Sequence, residues 1–145
     1  MLLVSVIPVV CWAAALIYWD IRFRRLPDVL TVPAGIGALV YCLAYAPDGL
    51  WGLFWPLSYW ISAAYSGGIG GGDIKLAFTL GPLAWLVSGV WGLLTAIALA
   101  SIFTLLLARV HSAFSLQNQT HLRGFPHGPS MIVATIGTCA WVFME

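Results

Sequence analysis

The sequence predicts an all-α, polytopic membrane protein with about six transmembrane helices, and three observations lead there. Hydrophobic residues make up 61% of the chain and charged residues 8%, with a mean hydropathy of +0.97. A soluble domain carries about 25% charged residues, and a ball of 145 residues cannot hide this much apolar surface from water. The charges also act as punctuation, gathered in short stretches between long apolar runs. Finally, when six helices are counted, all 6 Lys and Arg residues fall on one side of the membrane, the pattern expected of cytoplasmic loops. The same numbers exclude other classes. The chain is too apolar to be disordered. A net charge of +1 gives no electrostatic footprint for DNA or RNA.

The elements follow in order. Residues 1–19 form the first apolar run. No basic segment precedes it, so it reads as a retained helix and not as a cleaved signal. Residues 29–46 and 50–65 give the second and third helices. The stretch 74–108 is too long for one span of about 20 residues. Ser88-Gly89 divides it, which places a tight turn over 87–90 and helices over 74–87 and 90–108. Residues 129–143 give the last helix. Arg22, Arg24 and Arg25 then lie in the first loop, Lys75 in the third, and Arg109 and Arg123 in the fifth. That face is assigned to the cytoplasm, with both termini outside, in a multi-pass protein of the cell (inner) membrane. Residues 1–145 read as a single transmembrane domain. Gly35, Gly37, Gly128 and Gly137 would permit close helix packing. Cys11, Cys42 and Cys139 are odd in number and sit in apolar runs, so they make no disulfide framework or zinc site.

An acid near hydrocarbon costs roughly 2.5–3.5 kcal/mol on insertion scales and calls for a reason. Asp48 and Glu145 fall at outer ends, within reach of water. Asp20 and Asp73 both border the cytoplasmic face. Asp20 opens a basic stretch, Asp20-Ile21-Arg22-Phe23-Arg24-Arg25-Leu26-Pro27-Asp28. Asp73 follows a glycine run that ends Gly70-Gly71-Gly72. The plain readings are an Asp20–arginine pair at a helix exit and a glycine hinge. No Gly-Lys-Ser/Thr follows the glycines, which excludes a P-loop. Two carboxylates brought within a few ångströms share a proton. One can then take a proton from water while the other polarises a carbonyl and protonates a leaving amine. That is aspartyl protease chemistry, which calls for no metal and no cofactor. The alternative from another class is a membrane transporter or assembly subunit, with Asp20 and Asp73 as a proton or cation site on a broken helix.

Other residues read more simply. Lys75 is a snorkelling lysine or a support of the glycine loop. Asp28 reads as the N-cap of the second helix. His111, His121 and His127 fit no zinc spacing and read as solvated loop residues. The arginines of the first loop read as topology and lipid anchors.

Gly70-Gly71-Gly72-Asp73-Ile74-Lys75-Leu76 resembles the GxGD signature of membrane aspartyl proteases, and its continuation resembles type IV prepilin peptidases in particular. Arg25-Leu26-Pro27 resembles the segment that follows that family's first aspartate, with Asp28 where the family often has Asn. Phe125-Pro126-His127-Gly128-Pro129 is similar to the family's Pro-Phe-Gly-Pro, with His127 in place of Phe. The resemblance implies a GxGD protease architecture with Asp20 and Asp73 as the catalytic pair. Gly70, Gly71, Gly72 and Lys75 would form a supporting loop. It also implies prepilin-like substrates, with a basic leader, a glycine before the scissile bond and then an apolar helix, cleaved at the cytoplasmic face. The partners implied are that substrate and the lipid bilayer. Long members of the family carry a cysteine-bearing insertion between the first two helices and also methylate the product. The loop here is short and has no Cys, which resembles the short TadV or CpaA type of tight-adherence pilus systems and supports no methyltransferase activity.

Overall fold

The computed structural model describes residues 2–66, 70–115, 127–142 and 144, and among these every regular element is helical. In chain order these are α1 (Leu2–Phe23), α2 (Asp28–Tyr45), a 3-10 segment (Pro47–Leu53), α3 (Phe54–Ser66), α4 (Gly71–Ser115) and α5 (Gly128–Val142). Asp28–Tyr45 and Gly71–Leu107 are long and apolar enough to cross a membrane. The outward surface is apolar too, with Val29, Leu43, Trp91 and Leu105 standing well exposed. Faces of this kind would aggregate in water and are at home in lipid. The protein belongs in a membrane.

The 45 residues of α4 do not make one rod. Gly89 adopts φ 64, ψ −161 inside it, a conformation essentially restricted to glycine. Contacts on either side show that the chain doubles back there. Gly72 lies against Leu26, and Leu26 also reaches Gly128. Thr104 bonds to His127, the neighbour of Gly128. Both arms of α4 therefore reach the start of α5, whereas a straight helix would hold residues 72 and 104 ~48 Å apart at about 1.5 Å per residue. The arms are α4a (71–88) and α4b (90–115). The break falls within the turn expected from Ser88-Gly89.

Elsewhere the structure departs from expectation. The third helix starts at Phe54 and not at residue 50, because Pro47–Leu53 is 3-10. Its glycines lie flat on neighbours. A Cβ on Gly52 would stand 2.3 Å from the Gly81 backbone, and one on Gly49 would stand 2.6 Å from Cys42 Sγ. α3 is left with 13 residues, ~20 Å against a hydrocarbon core of about 30 Å. As expected of one helix over 74–87, Gly81-Pro82 lies inside α4a without a break, and Gly81 is the partner in the Gly52 crossing. Gly35 packs on Phe78 and Thr79, but Gly37 and Gly137 meet nothing within 4 Å among the described residues.

The core of Leu16, Trp55, Leu76, Leu93, Met131 and Ile132 is closed to solvent. α5 lies among the other helices, packed on both α4 and α1. The 3-10 segment and Gly89 mark one end of the bundle. Asp20, Asp28, Asp73 and Lys75 gather at the other.

The close crossing gives a test of the packing. Gly52→Ala should destabilise the protein by about 1–3 kcal/mol through overpacking. Gly37→Ala, on an open helical face, should be neutral or stabilise by up to about 1 kcal/mol. Thermal unfolding of both variants in one detergent separates these outcomes, and equal shifts would contradict the crossing.

Candidate active site

Two helix beginnings build the site. Asp20 sits in the last turn of α1 and is only 5% exposed. Its Oδ2 accepts the backbone N–H of Gly128 at 3.1 Å. Gly128 is the first residue of α5, where a helix leaves N–H groups without partners and presents its positive end. A side chain there would not fit, since a Cβ on Gly128 would stand 2.8 Å from that carboxylate oxygen.

Asp73 lies in the first turn of α4 and its carboxylate accepts the N–H of Gly70. This is the reach of an acid in the first turn back to the residue that begins its own helix. It explains why α4 starts at Gly71, earlier than the sequence suggests. A carboxylate holds the last glycines in helical register despite their poor propensity. The glycines are not merely a hinge here, because the backbone of Gly70 is a ligand of Asp73.

Leu26 joins the two halves. The Cβ position of Gly72 stands 3.2 Å from Leu26 Cβ, and that of Gly128 stands 3.5 Å from Leu26 Cδ1. Leu26 thus wedges between the residue before Asp73 and the residue bonded to Asp20. Arg24 takes a left-handed φ of 52, ending α1 so that the chain returns over the site. Pro27 then caps α2 without a side-chain bond. Asp20 and Asp73 come close enough for the charge of Asp20 to act on Asp73. The charge of Asp73 in turn acts on the buried Tyr59 of α3.

Tyr59 leads to a feature the sequence reading missed. His127 is half-buried between α3 and α4b, not solvated. Its Nε2 lies 2.7 Å from the Tyr59 hydroxyl, and its Nδ1 meets Thr104 Oγ1. Tyr59 and His127 are 68 residues apart in sequence, and no local pattern announces the pair. Burial holds the His127 imidazole below its ordinary range, so the ring is neutral near pH 7.

At the rim, Lys75 Nζ lies 2.6 Å from Asp28 Oδ1, with both side chains largely exposed. Asp28 is therefore not the N-cap of α2. It is the first residue inside that helix and ties it to α4a. Residues 67–69, Phe125, Pro126, His121 and Arg123 lie outside the described residues, and His111 falls within α4. Among the described residues no three His, Cys, Asp or Glu side chains gather as metal ligands.

The family model described as the type IV leader peptidase family matches residues 7–109. The match spans both aspartates and covers well over half of the chain, so the protein belongs to that family and is a peptidase. No curated protein and no solved structure matches it.

The geometry separates two kinds of contact. Gly128→Ala pushes Asp20 off its donor and should cost about 1–3 kcal/mol for the unsatisfied buried group. Lys75→Met breaks an exposed pair and should cost at most about 1 kcal/mol. Thermal unfolding reads both, and a larger loss for Lys75→Met would contradict this ranking.

Proposed function

We propose that this peptidase is an aspartyl endopeptidase of the cell inner membrane. It would remove the basic leader of prepilin-like proteins after a glycine, at the cytoplasmic face. The reading takes residues 1–145 as one transmembrane domain that crosses six times with both termini outside. The arrangement of Lys and Arg supports that orientation, and the fold-back of α4 supports the number of crossings. Asp20 and Asp73 are the proposed catalytic pair, with Gly70, Gly71, Gly72 and Lys75 as the supporting loop.

The observation that carries the reading is the meeting of the two aspartates at two helix starts, one on each side of Leu26. Two carboxylates that interact strongly within one site titrate as a pair and share one proton. The ionised member draws a proton from a water molecule, whose oxygen bonds to the carbonyl carbon of the leader glycine. The protonated member donates to the carbonyl oxygen as negative charge develops on it. The tetrahedral intermediate then collapses. The C–N bond breaks, the amine leaves with a proton from the dyad, and the leader leaves as a carboxylic acid. The pair returns to one shared proton, and no metal takes part.

Position distinguishes this from a transporter. A transport site belongs near mid-membrane on a discontinuous helix. Asp20 lies in the last turn of α1 and Asp73 in the first turn of α4, which favours hydrolysis at the membrane face.

Co-expression with a prepilin-like substrate tests the proposal. The wild-type chain should shorten the substrate to the residue after the leader glycine, read by mass of the new N-terminus. Asp20→Asn and Asp73→Asn should each lower the rate by at least ~100-fold, the scale of lost acid–base catalysis, while remaining inserted and folded. EDTA should leave the wild-type rate unchanged. Full activity of either variant, or a zinc-restored loss with EDTA, would refute this mechanism.

A further inference from the structure

His127 departs from the aromatic residue of the motif it belongs to, and its surroundings give it a defined protonation form. Thr104 Oγ1 also lies 2.9 Å from the carbonyl oxygen of Ala100 and donates its single proton there. A hydroxyl that donates to Ala100 accepts from His127, and in that arrangement Nδ1 carries the imidazole proton. Nε2 is then a bare acceptor, and the Tyr59 hydroxyl donates to it across 2.7 Å. The result is a one-way chain from Tyr59 through His127 and Thr104 to the α4b backbone. It joins α3, α4b and the residue just before α5. The next residue is Gly128, whose N–H holds Asp20.

We infer that neutral, Nδ1-protonated His127 is a positioning residue of the peptidase site. It fixes the start of α5 against α3 and α4b so that the Gly128 N–H meets Asp20, and it disturbs that register when it takes up a proton. The effect on cleavage rests on the function proposed above, whereas the hydrogen-bond direction and the link to Gly128 do not.

A second proton on the ring would face the donating hydroxyl of Tyr59. That hydroxyl would have to turn and accept, handing its own proton to Ser101 of α4b, its other side-chain partner. Among the described residues, Tyr59 from α3 and the uncharged Thr104 from α4b face His127. Asp73 of α4a acts on Tyr59, and Asp20 of α1 lies one residue along, through Gly128. An imidazolium would therefore place a positive charge beside the dyad as well as reverse the chain. The unfolded chain takes up this proton first. The fold is thus fully supported above about pH 6.5 and loses support as pH falls through that value.

The experiment combines histidine 15N NMR of the full-length protein in micelles with cleavage profiles between about pH 5 and 8. His127→Gln identifies the His127 signals by their loss. It keeps a donor and an acceptor but takes no proton. His127→Phe restores the aromatic ring without hydrogen bonds. The expected spectrum has Nδ1 protonated and Nε2 bare near neutral pH, and the Gly128 amide resonance moves as His127 titrates. His127→Gln should hold its activity to lower pH than wild type. His127→Phe should cleave about tenfold more slowly at neutral pH, the scale of a lost positioning bond. An Nε2-protonated ring, a Gly128 amide that ignores the titration, or an acid limb of His127→Gln superimposed on that of wild type would overturn the inference. If wild type cleaves nothing, the peptidase reading falls, while the tautomer and the Gly128 amide still decide the positioning role.

Discussion

A carboxylate moved out of water must recover its lost hydration from hydrogen bonds or opposite charge. For Asp20 a recovered partner among the described residues is the backbone N–H of Gly128, at the positive end of α5. Much of the architecture can be read as the consequence of keeping that one contact. α5 has to begin where α1 ends. Residue 128 has to lack a side chain. The residue before it has to be anchored from another direction, and it is, by Tyr59 and Thr104. Asp73 solves the same problem locally, by turning back on the helix it begins. Two carboxyl groups are thus held near each other by two separate helix starts, with Leu26 packed between Gly72 and Gly128.

Close backbone approach makes this possible at the far end as well. The Gly52–Gly81 crossing lets the 3-10 segment lie flat on α4a, and Gly89 turns α4 so that both its arms reach the site. Without that turn Thr104 would be far from His127, and α5 would lose its support from α4b. The chain is small and has few polar contacts to spend. The site end carries the Asp20–Gly128, Lys75–Asp28 and Tyr59–His127–Thr104 contacts, while the other end rests on glycine packing, apolar burial and a bond from the Ser88 hydroxyl to the Thr138 carbonyl.

The sequence made much of this visible. Composition and the spacing of charges give an all-helical membrane chain. The Ser88-Gly89 break is legible because a run twice the length of a span must turn somewhere, and glycine is the residue that can turn it. Asp20 and Asp73 stand out because an acid near hydrocarbon needs a reason. Other features were hidden for equally physical causes. Asp28 has the composition of a cap, and only the fold shows that Lys75 claims its carboxylate. His127 looks like a loop residue because its partners come from α3 and α4b, far away in sequence. Leu26 reads as one apolar residue among many until Gly72 and Gly128 are seen on either side of it. Local patterns announce chemistry that is carried by one segment, whereas packing partners from distant segments leave no local mark.

The central claim is that Asp20 and Asp73 occupy one site. The most direct test is a proximity measurement in the membrane. With Cys11, Cys42 and Cys139 replaced, Asp20→Cys and Asp73→Cys would be introduced together and treated with a short bifunctional thiol reagent. The account predicts that the two positions become bridged within one chain, seen as a shared cross-linked peptide by mass spectrometry, and that prior labelling of either thiol prevents it. Two thiols that each react alone, yet are never bridged in the folded protein, would contradict it.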